Sequence, residues 1–413
     1  MNKPELLAPA GSLNKLKYAV MYGADAVYIG GEAFSLRVAA KNFTNDEIRE
    51  GIEFAHSHGT KVYITANIIP HNSDMDKFPQ FVREVRDMGA DAIIVSDLGA
   101  FAAVRREAPE LDIHISTQAN NTNYASAAMW HSLGAKRVVL ARDLSFGEIK
   151  RISSENEPDL EIECFVHGAM CVSYSGRCLL SNYMTHRDAN RGACSHPCRW
   201  KYYLMEEKRP GEYMPVFENE RGTFIFNSKD LCMINHIPEL ISSGITSFKI
   251  EGRVKNELYV ATVVGAYRKA IDDYFDSGCS ENYTVDSAVL EDLEKVSHRE
   301  YTDGFYFGKP SDKQQLYTSN TYIQDYTIAG VVQCTEDNGK TVVIEQRNKF
   351  CLGDKLEFIA PGFERFSVIA ADMKDADGSS IQSAPHAQMT VKMPIDRTVG
   401  EYTIIRMKSK NSQ

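Results

Sequence analysis

The chain has 413 residues, of which 43% are hydrophobic and 25% are charged, as in a globular protein with one large core and a smaller second domain. Its formal net charge of −10 argues against a surface coated with basic residues for non-specific nucleic-acid binding, although a local basic patch stays possible. No run approaches the roughly 20 apolar residues that span a bilayer, and the start lacks a signal-peptide pattern, so we expect a cytoplasmic protein outside membranes.

A repeated pattern marks the first 255 residues: an amphipathic stretch, a glycine, and then a short β-branched run. Its copies are YGADAVYIGG (22–31), HGTKVYITAN (58–67), MGADAIIVSD (88–97), LGAKRVVLAR (133–142) and SGITSFKIEGR (243–253). Because glycine readily adopts the left-handed conformation that ends a helix, each copy predicts a helix end followed by a buried parallel strand.

Three further strands fit between these copies: ELLAPA near the start, DIHISTQ (112–118) and EIECFVH (161–167). The segments between strands predict helices, as in TNDEIREGIEFAHSHG, where Thr44 is the expected N-cap. Eight strands alternating with helices over about 250 residues predict a (β/α)₈ TIM-like barrel, here residues 1–280. An open, doubly wound sheet is the alternative, because strand count alone does not force closure.

Both architectures bind ligands at the carboxyl ends of their strands. The polar residues expected at that edge are Asn67, Asp97, Gln118, Arg142, His167, Lys249, Glu251 and Arg253. Any one of them fits a capping or surface role equally well, but together they predict the lining of a pocket.

A long insertion, residues 168–230, replaces the helix expected after strand seven and carries four cysteines. Their spacing is Cys171-x6-Cys178-x15-Cys194-x3-Cys198. In a reducing compartment such thiols suit an iron–sulfur cluster, a zinc ion or metal-free cysteines, and the spacing leaves all three open.

The other cysteines have simpler interpretations. Cys164 lies in an apolar strand and is expected to pack there, whereas Cys232 is the leading substitute ligand. Cys279, Cys334 and Cys351 are isolated in the sequence, which favours core or surface thiols.

The insertion also combines cations with aromatic residues. The cations are His186, Arg187, Arg191, His196, Arg199 and Lys201, and the aromatic residues are Tyr183, Trp200, Tyr202 and Tyr203. This mixture suits phosphate binding and base stacking, while pairing of the arginines with acidic residues explains it equally well.

After the barrel, residues 281–323 predict a connector with an acidic helix near 285–297 and the aromatic motif REYTDGFYFGKP. From residue 324 to 413 short alternating runs such as KTVVIEQ are separated by turn signals such as EDNG and DADG. This texture predicts a small antiparallel β-barrel domain.

Several motifs resemble the collagenase-like peptidases of peptidase family U32. They are ECFVHGAMCVSYSGRCLLSN, RDANRGACSHPCRW, NSKDL and FKIEGR, and the resemblance covers nearly the whole chain. The resemblance implies RNA hydroxylation, because better-understood branches form 5-hydroxyuridine at the tRNA wobble position with prephenate, or hydroxylate a cytidine of 23S ribosomal RNA. A further branch serves ubiquinone synthesis and carries [4Fe–4S] clusters, and the layout here is most similar to the tRNA branch.

The resemblance implies a [4Fe–4S] cluster on Cys171, Cys178, Cys194 and Cys198, with Cys232 outside it and zinc as the alternative metal. In this interpretation Arg142, Lys249 and Arg253 grip prephenate, a small dicarboxylate, while His167 and Glu251 move protons. The substrate-binding set is completed by Asn67 and Gln118 at the rim and by Arg191 and Arg199, in the segment expected to hold the tRNA anticodon region.

Two other classes of function remain open at this point. One is a collagenase-like peptidase, although the sequence has neither a G-x-S-x-G nor an H-E-x-x-H motif. The other is a non-catalytic RNA-binding adaptor with a structural zinc.

Overall fold

The computed structural model describes residues 2–35, 42–170, 180–187, 189, 194–195, 197, 218–219, 222–223, 229–308 and 322–409. The strands up to residue 302 are β1 (Glu5–Pro9), β2 (Ala26–Ile29), β3 (Lys61–Ala66), β4 (Ala92–Val95), β5 (Asp112–Ile115), β6 (Arg137–Val139), β7 (Glu161–Ala169), β8 (Glu218–Asn219), β9 (Gly222–Thr223), β10 (Asp230–Cys232), β11 (Ser247–Ile250) and β12 (Tyr301–Thr302). The helices are α1 (Leu13–Met21), α2 (Asn45–Ser57), α3 (Asn72–Met75), α4 (Phe78–Asp87), α5 (Leu98–Glu107), α6 (Tyr124–Ser132), α7 (Phe146–Ser154), α8 (Leu180–Thr185), α9 (Ile237–Ser242), α10 (Glu257–Asp276) and α11 (Ser287–Glu294).

The eight predicted barrel strands form a closed parallel sheet. Strands β1 to β7 pair in chain order, and β11 pairs in parallel with both β1 and β7. The (β/α)₈ barrel is therefore confirmed, and the open-sheet alternative is wrong because β11 joins the two edges.

The local signals that predicted these elements are present in the structure. The five repeat glycines all have positive φ, from 75° at Gly59 to 102° at Gly134, so each ends its helix as expected. Thr44 is the N-cap of α2, and its hydroxyl and the Glu47 side chain form a reciprocal capping box.

Strand β7 is longer than its neighbours and carries the sheet beyond the barrel. Its first residues pair with β6 and β11, whereas His167, Gly168 and Ala169 pair antiparallel with β10. Strand β10 then pairs in parallel with β12, so this extension stands where the helix after the seventh strand would begin.

The barrel interior has two chemically different halves. Strands β1 to β4 contribute an apolar cluster that includes Leu7, Tyr28 and Tyr63. Strands β6, β7 and β11 contribute charged residues, which pair with one another and with Glu5 at the start of β1. The main hydrophobic core lies outside the strands, between them and the surrounding helices.

The C-terminal strands are β13 (Tyr326–Glu336), β14 (Thr341–Gln346), β15 (Phe350–Cys351), β16 (Lys355–Ala360), β17 (Glu364–Ile369), β18 (Ser383–Ala384), β19 (Thr390–Pro394) and β20 (Ile404–Lys408). Six of them form an antiparallel sheet in the order β17-β16-β20-β13-β14-β19 around a separate apolar core. The predicted antiparallel domain is confirmed, and within residues 322–409 its two edge strands, β17 and β19, are not paired with each other.

A buried ionic network fixes the C-terminal domain against the barrel. Asp292 of α11 forms ion pairs with Arg365 and Arg406, and Arg406 also contacts Glu357 at 2.9 Å. Both Asp292 and Arg406 are almost fully buried, so the orientation of the two domains is specified by directional contacts. No helix in the described ranges is long and apolar enough to cross a bilayer.

Candidate functional site at the carboxyl rim of the barrel

Arg142 and Glu251 meet at the carboxyl ends of β6 and β11. Arg142 Nη2 lies 3.3 Å from Glu251 Oε2, and Arg142 Nη1 donates to the carbonyl oxygen of Ala169 at 2.7 Å. The guanidinium also lies 3.7 Å from the centroid of the Phe165 ring. Three contacts, two from β7 and one from Glu251 after β11, therefore hold this arginine in one orientation.

Gly168 permits this arrangement. It has a φ of 105°, and a Cβ atom built there would lie 2.4 Å from the backbone oxygen of Glu251. Any side chain would push the loop after β11 away from the end of β7. The glycine thus keeps Glu251 close to Ala169 and to the arginine that both contact.

Arg253 lies elsewhere on the rim and is bound by hydroxyl groups. Its Nη1 and Nη2 both lie 3.0 Å from Ser35 Oγ, and Nη1 lies 3.4 Å from Thr65 Oγ1. Asn67, one residue after β3, donates to Ser116 Oγ at 3.0 Å. These contacts join the loops after β2, β3, β5 and β11 into a polar rim.

The loop after β5 carries polar side-chain atoms that lack hydrogen-bond partners in the described part of the chain. They are Gln118 Oε1, Asn120 Oδ1 and Asn121 Nδ2. The backbone of Asn121 bridges to Leu140, two residues before Arg142. The sequence interpretation named Gln118 in this loop but missed Asn120 and Asn121. Their polar side chains directly after Gln118 were the signal that could have identified them.

Asp97 is a helix cap and not a residue of the polar rim, which is the capping role that the sequence also allowed. Its carboxylate accepts a hydrogen bond from the backbone N–H of Ala100 at 3.0 Å and so caps α5.

Lys249 lies inside the barrel and not at the open rim where it was expected. Its Nζ lies 2.6 Å from Glu163 Oε1, and both residues are buried. Below this pair, Arg137 contacts Glu5, Glu161 and Glu163. The sequence interpretation missed Arg137 and Glu163, although charged residues within β-branched strands were a visible signal.

The expectation that His167 faces the ligand site is wrong. The pairing of β7 with β11 shifts by one residue between Lys249 and Ile250, and this bulge turns His167 to the outer face of the sheet. There it is 1% exposed and packs against Tyr259, Tyr267 and Tyr301. Neither ring nitrogen has a hydrogen-bond partner among the described residues.

His167 provides a test of this placement through pH. Burial lowers the pKa of His167 to about 3 in the folded protein. At a pH below about 6.5, the usual pKa of histidine, this side chain therefore binds fewer protons in the folded protein than in the unfolded chain. Stability from this group is therefore present above that value and lost as the pH falls. We expect His167→Leu to gain stability relative to the wild type, by up to about 1.4 kcal/mol per pH unit between pH 6 and 4.

The measurement is urea unfolding of both proteins at pH 7, 6, 5 and 4. Equal pH dependence in the two proteins would contradict the buried, neutral placement, since carboxylates elsewhere cancel in the comparison.

Of the four cysteines expected to bind metal, Cys194 lies within the described residues and is partly buried. Its neighbour Ser195 is held on α8: the backbone N–H of Ser195 donates to Ser181 Oγ at 3.0 Å, and the hydroxyls of Thr185 and Ser195 lie 2.9 Å apart. Cys171, Cys178 and Cys198 lie outside the described residues, as do Arg191 and Arg199. The described residues contain no cluster of three or more potential metal ligands, and three of the four expected cysteine ligands lie outside them, so the metal site stays a prediction.

Two other cysteines lie on neighbouring strands, Cys164 on β7 and Cys232 on β10. Cys164 is buried in β7, as expected. Cys232 of β10 lies opposite His167 of β7, and burial raises the pKa of its thiol to about 12, which suits a protonated, packed side chain.

The closed barrel, its polar carboxyl rim and the docked antiparallel domain define a two-domain (β/α)₈-barrel protein with its candidate ligand site at the usual end of the barrel. Residues 11–316 match the family described as peptidase family U32, and residues 324–406 match the C-terminal domain of that family. The chain belongs to peptidase family U32.

Two relatives match nearly the whole chain. "tRNA hydroxylation protein P1" from Bacillus subtilis (strain 168) is 42% identical over 406 residues, which cover 98% of this chain and 94% of the relative. "tRNA hydroxylation protein P" from Escherichia coli (strain K12) is 40% identical over 435 residues, which cover 96% and 94% of the two chains. A 23S rRNA 5-hydroxycytidine synthase from the same strain of E. coli is 35% identical over 317 residues, 75% of this chain and 46% of that protein.

Proposed function

We propose that this protein is an RNA hydroxylase that forms 5-hydroxyuridine at the wobble position of tRNA. The observation that carries the proposal is the 42% identity to a tRNA hydroxylation protein over 98% of the chain. Because that similarity spans the barrel and the C-terminal domain together, it concerns the whole protein and not a shared fold alone.

The proposed co-substrate is prephenate, a small dicarboxylate that supplies the hydroxyl group. The rim supports this assignment with an oriented guanidinium at Arg142 and hydroxyl-bound Arg253. Lys249 is held by Glu163 within the barrel, so we assign it the role of fixing the base of the site. Glu251, at the rim beside Arg142, is the remaining candidate for moving a proton.

The proposed cofactor is a [4Fe–4S] cluster held by Cys171, Cys178, Cys194 and Cys198. The donor chemistry fits, because four soft thiolates are the usual ligands of such a cluster. When bound, the cluster would supply redox or Lewis-acid chemistry. The described chain contributes the attachment of residues 194 and 195 to α8, and Cys178 stands two positions before that helix in the sequence.

The tRNA anticodon region is the proposed partner, held by Arg191, Arg199 and the C-terminal domain. The fixed docking of that domain through Asp292 and Arg406 would give a bound RNA a constant position relative to the barrel rim.

The test is nucleoside analysis of RNA from a strain that lacks the gene, with and without the gene restored. We expect 5-hydroxyuridine-type nucleosides in tRNA to disappear and then return, with 23S rRNA unchanged. Loss of 5-hydroxycytidine from 23S rRNA instead would move the assignment to the ribosomal branch. Unchanged RNA, with peptide cleavage by the pure protein, would overturn the proposal in favour of a peptidase.

A further inference from the structure

Arg142 is bound on one side and incompletely bound on the other. Nη1 donates to Ala169 at 2.7 Å, and the plane of the group stacks on Phe165. The opposite edge carries Nη2 and Nε. Nη2 makes one long contact, 3.3 Å, to Glu251, while Nε is buried and has no partner among the described residues.

This edge of a guanidinium can bind a carboxylate through two hydrogen bonds. The N–H groups of Nε and Nη2 point in the same direction, and a carboxylate with two oxygens can accept both. Glu251 uses one oxygen on one of the two donors. Since an unpaired buried donor costs about 1–3 kcal/mol, and more when it is charged, the pair seen here is not the best arrangement for Arg142.

We propose that the Nε–Nη2 edge of Arg142 is the binding site for a carboxylate of the small co-substrate, and that Glu251 is a resident substitute which the ligand displaces. This inference rests on the proposed function, which supplies a dicarboxylate. The exchange gives the Nε–Nη2 edge its second hydrogen bond and releases Glu251 beside the bound ligand, where its carboxylate can accept a proton.

The burial of the pair explains why displacement is needed. The side chains of Arg142 and Glu251 are 12% and 11% exposed, and Nε is covered. A ligand therefore reaches the edge only when Glu251 moves aside. The same depth favours a small carboxylate over a phosphodiester of RNA, whose ribose and neighbouring nucleotides would have to enter the site between Phe165 and the rim loops.

The experiment is calorimetric titration of the full-length protein, purified without oxygen, with prephenate and separately with succinate. Arg142→Lys keeps the charge and removes the two-donor edge, so we expect at least about tenfold weaker binding of both ligands. Glu251→Gln keeps the shape and removes the competing charge, so we expect several-fold tighter binding together with loss of hydroxylation.

Arg151→Lys is the matched control. Arg151 also lies over an aromatic ring, that of Tyr124 at 5.0 Å, but it is 65% exposed on α7 and outside the rim. The Arg151→Lys protein should bind prephenate and succinate with the same affinity as the wild type.

The outcomes separate the two proposals. Unchanged prephenate affinity in Arg142→Lys overturns the site and leaves the hydroxylase assignment intact. Weaker binding in Glu251→Gln shows that Glu251 is a ligand contact and overturns the displacement. Binding of succinate alone supports the carboxylate site and removes prephenate as co-substrate. If the protein binds neither prephenate nor succinate, or binds only a short RNA oligonucleotide, the carboxylate site is overturned. The hydroxylase activity is then still decided by the nucleoside analysis of tRNA.

Discussion

Replacing Cys194 by alanine is expected to remove bound iron and to reduce RNA hydroxylation to the background level. Cys194 is partly buried, and its neighbour Ser195 is fixed to α8 by Ser181 and Thr185, so the thiol lies on an anchored segment. A cubane cluster that loses one of four thiolate ligands loses the donor that holds one iron. The same result is expected for alanine at Cys171, Cys178 or Cys198.

The measurement is iron and sulfide content of protein purified without oxygen, together with hydroxylated nucleosides in tRNA from a complemented deletion strain. The wild type should contain about four irons per chain. Two cysteines serve as controls: Cys334, exposed in the C-terminal domain, and Cys232, packed behind the barrel wall. Their alanine variants should keep both iron and activity.

Two results would contradict the cluster. Full activity in any two of the four ligand variants would show that the thiols are not a unit. A colourless protein that contains zinc, or no metal after anaerobic reconstitution, would leave the four cysteines to a structural role.

Sequence reasoning located the barrel because its signals are local. A glycine with positive φ ends a helix whatever lies around it, and the β-branched run that follows has no polar face to expose. Gly59, Gly134 and the capping box at Thr44 acted as the sequence indicated. Closure could not be derived in the same way, because it depends on the pairing of β11 with β7, more than 80 positions apart in the sequence.

The direction of each side chain was harder to predict than the strand that carries it. His167 and Glu163 lie on one strand at even spacing, which predicts the same face. The single-residue shift against β11 reverses that expectation for His167 alone. Similarly, Lys249 was recognised as polar and near the site, but its partner Glu163 comes from a different strand and could not be identified from spacing.

Replacing Arg137 by methionine is expected to destabilise the protein by about 3–5 kcal/mol, the usual effect of removing one partner from a buried ionic group. Arg137 is 4% exposed and lies 2.5 Å from Glu5, 2.6 Å from Glu161 and 3.0 Å from Glu163. Methionine fills similar volume without charge, so the variant leaves buried carboxylates uncompensated. The measurement is urea unfolding at pH 7, followed by circular dichroism.

Lys136→Met is the matched control at the adjacent position. Lys136 is 40% exposed and 3.9 Å from Glu161, so its loss should change stability by less than about 0.5 kcal/mol. An Arg137→Met variant as stable as this control would show that the interior carboxylates do not depend on the arginine.

The pH dependence distinguishes lost charge from lost packing. Burial by itself raises the pKa of Glu5, but Arg137, with hydrogen bonds from Tyr63 and Ser247, outweighs this and holds it below its usual value of about 4.5. The stability that Glu5 contributes in the wild type is therefore present above that value and lost as the pH falls through the lower, folded pKa. Without Arg137, burial dominates and the folded carboxyl retains its proton, so the deficit of Arg137→Met should shrink between pH 7 and pH 4.5. Adding Glu5→Gln should recover part of the loss at pH 7, whereas a deficit that is constant with pH and unaffected by Glu5→Gln would identify packing as the cause.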